Sequence, residues 1–129
     1  MRFDKNYFLK QEFGHNELNK YKKAAERDLA IAHKDKEIEV IFHFSYMALL
    51  KIGIYVIAKE GYRVKSRPGH HVQIIETLSD ILKSKDVAII GDKMRRDRNL
   101  DLYSANALIT KKDVEAYYKF VQELFQTIR

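Results

Sequence analysis

The segment DKMRRDRNLDLY, Asp92 to Tyr103, concentrates the residue types best able to act on an anion. An α-helix advances about 100° per residue. With Val87 as origin, Ile90 lies at about −60°, Met94 at about −20° and Arg98 at about +20°. The apolar line of this helix therefore runs on into Arg98. Arg96 points the other way, and Arg95 and Asn99 flank the line. A guanidinium aimed where a core residue belongs needs a partner or a cleft, because an unpaired buried charge is prohibitive. In one reading Arg98 pairs with an acid of a neighbouring helix, or the helix ends before it. In the other it lines an anion site, where a planar, permanently charged fork suits a phosphate.

Tyr103 sharpens the choice. In a continuous helix, positions 98 and 103 lie about 140° apart. The two side chains share a site only if the helix kinks or ends between them. Asn99 and Asp101 are poor helix formers and are expected to provide that break.

The elements that must hold this segment are helical. Leu18, Tyr21, Ala25, Leu29 and Ala32 recur at steps of three and four and predict a helix from about Asn16 to Lys34. A second helix is predicted from about Asp35 to Glu60, stopped by Gly61. Its segment Val40–Ala58 is apolar nearly all round, as in the centre of a bundle. His43, Ser45, Lys51 and Gly53 interrupt it, so a soluble core helix is expected rather than a membrane span. The loop GYRVKSRPG follows, with Pro68 suited to the first turn of a third helix from about Pro68 to Lys83. A fourth helix starts near Asp86. Thr110 and Asp113 form a capping-box-like start for a last helix carrying Val114, Tyr117, Val121, Leu124, Phe125 and Ile128 on one stripe. Phe3, Tyr7, Phe8 and Phe13 lie in an N-terminal arm, residues 1–14, without helical spacing. No alternating strand is evident. The expected fold is an all-α, up-and-down bundle of about five helices in a single domain, 15–129.

RNLDLY, Arg98 to Tyr103, resembles the signature region of HEPN domains, small helical nucleotide- or RNA-associated domains of bacteria and archaea. That motif is an Arg, often followed by Asn, and a His a few residues on, where the fourth core helix ends. Arg98 matches the Arg, Asn99 the polar position, and Tyr103 stands where the His would be. The stretch from Phe44 to His71 is similar to the family's alanine–tyrosine-rich helix and basic loop, and Asp101 to Phe125 to its loop and last helix. The resemblance spans residues 15–128. It implies a homodimer whose paired clefts cleave RNA without a metal, of the toxin–antitoxin kind. Arg98 would hold the phosphate while a base near neutral pKa activates a ribose 2′-hydroxyl. Tyrosine titrates near pH 10, so Tyr103 suits donating to a phosphate or stacking on a base rather than accepting a proton. The other reading is a non-catalytic module that dimerises and engages a nucleotidyltransferase or antitoxin.

Other residues add to the anion reading. Arg63, Lys65 and Arg67 give the loop a basic character that could grip a nucleic-acid backbone, or be plainly solvated. His70 and His71 follow it. Adjacent helical residues diverge by about 100°, so one of the two, not both, could reach the Arg98 cleft and supply an imidazole. The plainer reading, and the one expected, is a helix-start histidine in solvent. Tyr46 is expected to pack in the core, with a hydroxyl that must be satisfied and could reach the cleft. His15, His33 and His43 are scattered, and no metal or cofactor is expected.

The 129 residues carry a net charge of +6, one proline and no cysteine. The absence of cysteine excludes disulfides, thiol catalysis and iron–sulfur sites. A single proline favours long helices. The basic balance favours anionic partners, here RNA or a nucleotide. The charged opening residues lack the apolar run of a leader, so a cytoplasmic chain is expected.

Overall fold

The computed structural model describes residues 3–103 and 109–129, with the side chains of residues 100–103 outside the description. The chain forms an all-α bundle of five helices with one small sheet among the described residues. In chain order these are β1 (Phe8–Lys10), α1 (His15–Lys34), α2 (Ile38–Lys59), β2 (Tyr62–Val64), α3 (His70–Leu82), α4 (Lys85–Tyr103) and α5 (Lys111–Ile128).

Helix α2 is the axis. It packs on α1, α5 and α3, while α3 carries α4. By length and composition α2 is apolar enough to cross a membrane. In this fold its Phe42, Tyr46, Leu49, Ile52 and Ile57 are instead buried by neighbouring helices. Its Lys51 meets the buried Asp28 of α1, Nζ to Oδ2 at 2.7 Å. That contact neutralises the carboxylate, although its geometry is not that of a directed hydrogen bond. Helix α5 starts as its sequence demands: Asp113 N–H donates to Thr110 Oγ1 at 3.1 Å.

Three expectations are corrected. The arm and the basic loop hold a two-stranded antiparallel ribbon, with Phe8 opposite Val64 and Lys10 opposite Tyr62. Strands of three residues are too short for alternation to stand out. Their apolar side chains do useful burial: Phe3 stacks on Tyr62 with ring centroids 3.9 Å apart, and Phe8 is buried. Helix α3 begins at His70, not at Pro68. Gly69 is its N-cap at φ +85°, a left-handed conformation that glycine adopts without Cβ strain. The Pro68–Gly69 turn places the His70 N–H on the Arg67 carbonyl at 3.0 Å.

The third correction concerns α4, which runs without a break through Arg98 to Tyr103. The expected kink at Asn99–Asp101 is absent. Each of these residues costs less than about 1 kcal/mol in a helix interior, too little to end a well-packed helix. Close packing sets the seat of α4 on α3: a Cβ at Gly91 would lie 2.7 Å from Cγ2 of Ile75.

Candidate anion-binding cleft

The line drawn through α4 survives folding. Val87 and Met94 are fully buried, and Arg98 follows them at the edge of the core, half-buried. Its guanidinium carbon lies 5.6 Å from the centroid of the Tyr46 ring, within cation–π range. Among the described residues no carboxylate pairs with Arg98.

Arg98 instead lines an open cleft of about 520 Å³ between α4 and the start of α3. Arg95 and Asn99 line the α4 wall; Ser66 to Val72, including Arg67, His70 and His71, line the other. Arg95 is held by Asp92, whose Oδ1 accepts from Nη2 at 2.8 Å and Nε at 3.1 Å. The other Asp92 oxygen takes Arg96 Nε at 3.1 Å, drawing that side chain away to the exposed face. Arg67 lies over the Tyr7 ring and donates to the Asn6 carbonyl at 2.8 Å. The N-terminal end of α3 has no side-chain cap and no acid in its first turn, so its positive end adds to the same field.

Both histidines line the cleft, against the expectation that at most one could. The cleft sits over the end of α3, where the 100° divergence along a helix flank does not separate them. His70 folds back and donates its Nδ1–H to the Arg67 carbonyl at 2.7 Å. Its neutral form therefore leaves Nε2 as an acceptor. The two imidazole centroids are 4.5 Å apart. His71 Nδ1 meets the Tyr46 hydroxyl at 3.0 Å. Burial, then the charges of His70, Arg98 and Arg95, push His71 down from 6.5 to about 4. Burial pushes the Tyr46 phenol up to about 12, against the pull of Arg98 and Arg95. At neutral pH the cleft thus presents guanidinium charge beside a neutral imidazole.

The remaining sequence candidates fall elsewhere. Arg63 is exposed on β2 and does not line the cleft. Lys65 also stays outside it, its Nζ donating to the Lys5 carbonyl at 2.9 Å. The Tyr103 side chain lies outside the described residues, and the helix break meant to turn position 103 toward Arg98 is absent. Tyr117 is a core residue whose hydroxyl donates to Asp97 of α4; burial and that carboxylate raise its pKa. Asp92 was not among the candidates, yet its spacing of three and four residues from Arg95 and Arg96 announces the pairings. Among the described residues no group of three or more His, Asp and Glu is placed to hold a metal ion.

Comparison with protein-family models, curated proteins and solved structures finds no match to this chain.

Proposed function

We propose that this protein is a HEPN-like domain that binds the phosphates of RNA or of a nucleotide in the Arg98 cleft. One observation carries the reading: a half-buried guanidinium with no carboxylate partner among the described residues, on the wall of an open cleft lined by two further arginines. A half-buried cation that keeps no carboxylate is best satisfied by an anion from solution. The resemblance of residues 98–103 and their flanking helices to HEPN domains agrees with it, and extends the proposal to a cytoplasmic homodimer of toxin–antitoxin type.

The imidazoles give the same cleft a route to metal-independent RNA cleavage. A phosphate held by Arg98 would lie beside His70 and His71. In its neutral form His70 offers Nε2 to take the proton of the ribose 2′-hydroxyl as that oxygen attacks phosphorus, and the P–O5′ bond breaks as the departing 5′ oxygen takes a proton from water. This moves the role of base from position 103 to the start of α3.

The test is labelled RNA in EDTA, with Arg98→Ala, His70→Ala and His71→Ala beside the parent. Salt-sensitive binding lost in Arg98→Ala supports phosphate binding. Cleavage by the parent that is lost in His70→Ala supports the catalytic step. Equal RNA retention by the parent and Arg98→Ala removes the reading.

A further inference from the structure

A second cavity, of about 270 Å³, lies against the cleft and shares Ser66, His70 and His71 with it. Apart from Lys51, its other walls are aliphatic: Met47, Leu50 and Ile54 of α2, Val64 of β2 and Ile74 of α3. We propose that this cavity seats the nucleobase of the nucleotide whose phosphate occupies the Arg98 cleft. The proposal rests on the phosphate reading and adds to it the part of the ligand that phosphate chemistry does not reach.

Three properties lead there. The first is charge. Lys51 on the cavity wall is already neutralised by Asp28 at 2.7 Å, so the cavity favours an uncharged group while its neighbour favours an anion. The second is size. Small-molecule sites usually span about 300–1,000 Å³, so this cavity holds part of a ligand rather than a whole one. The third is the partition. Ser66 and the two imidazoles stand at the junction, with hydroxyl and ring-nitrogen groups that can pair with the heteroatoms of a base or a ribose. A planar ring with a polar edge uses both the aliphatic walls and this polar border. Met47, Ile54 and Val64 are only partly buried, which leaves the ring a way in.

The experiment is calorimetric titration with ribose 5-phosphate, hexyl phosphate and the four nucleoside 5′-monophosphates. A short single-stranded oligoribonucleotide, intact or with one abasic residue, separates a strand from a free nucleotide. At least one monophosphate is expected to bind ~10-fold tighter than ribose 5-phosphate, the gain from burying one ring. Ile54→Phe and Val64→Phe, two independent ways to fill the cavity, should erase that gain and leave ribose 5-phosphate unchanged; circular dichroism identifies a variant that has not folded. Equal binding of ribose 5-phosphate and every nucleotide overturns the base site but spares the phosphate site. Hexyl phosphate binding as tightly as the best nucleotide overturns it in favour of an alkyl chain. Absence of binding by all phosphates defeats both proposals.

Discussion

The Tyr46 hydroxyl lies 3.0 Å from Nδ1 of His71 and ties the middle of α2 to the first turn of α3. The same phenol ring lies against Arg98. A core tyrosine thus sets the position of two cleft residues. Tyr46→Phe keeps the ring and strips the hydrogen bond, leaving a partly buried imidazole nitrogen unsatisfied. A loss of about 1–2 kcal/mol is expected. Urea unfolding should show a lower midpoint at unchanged slope.

The cleft makes stability depend on pH. His71 titrates near 6.5 when unfolded and near 4 when folded. Between those values the unfolded chain binds a proton that the folded chain refuses, so stability is full above the window and falls as pH drops through it. An anion in the cleft opposes Arg98 and Arg95 and raises His71 again. Sulfate, whose charge is constant here, should therefore raise the melting temperature more at about pH 5 than at about pH 8. His71→Asn should flatten both effects, and equal sulfate shifts at the two pH values would contradict this linkage.

Arginine geometry at position 98 is separable from charge. Arg98→Lys keeps the cation but loses the two-pronged fork, so RNA binding is expected to weaken by about tenfold with the salt slope preserved. Arg98→Ala should also reduce that slope, by about one phosphate contact. Filter binding over a salt series distinguishes the two.

The Asp28–Lys51 pair should respond asymmetrically. Asp28 is 3% exposed in its side chain and Lys51 30%. Lys51→Met strands a buried carboxylate and is expected to cost about 3–5 kcal/mol. Asp28→Asn costs less, because the ammonium can turn to water. Chemical denaturation of both variants checks the order.

Gly91 sets the distance between α3 and α4, and so the width of the cleft. Gly91→Ala brings a methyl within 2.7 Å of the Ile75 side chain. A net loss of about 1–2 kcal/mol is expected despite the better helix propensity of alanine. Phosphate affinity should fall with it in the same titrations.

The features legible in the sequence were those written locally. Thr110, Asp113 and the stripe from Val114 to Ile128 lie within one helix, so period and cap sufficed. Arg98 is legible in the same way, as a cation on the line of Val87 and Met94. What needed two distant segments to meet was hidden. The Phe8–Val64 pairing joins residues far apart in the chain, and neither three-residue strand has a period of its own. His70 and His71 converge only because the cleft caps the end of α3, which a helix-flank argument cannot represent. Lys51 interrupts an apolar run in the sequence, and only the fold brings Asp28 beside it. The aliphatic cavity is what tertiary packing leaves between α2, α3 and β2, and no spacing encodes it.

The ribbon has a consequence for the order of assembly. Lys65 N–H donates to the Tyr7 carbonyl at 2.7 Å, and Arg67 reaches the Asn6 carbonyl. The rim of the cleft is therefore fastened by residues that precede it in the chain, Asn6 lying 61 positions before Arg67. A ribosome extrudes the fastener long before the rim, and the rim cannot take its final shape until the two meet.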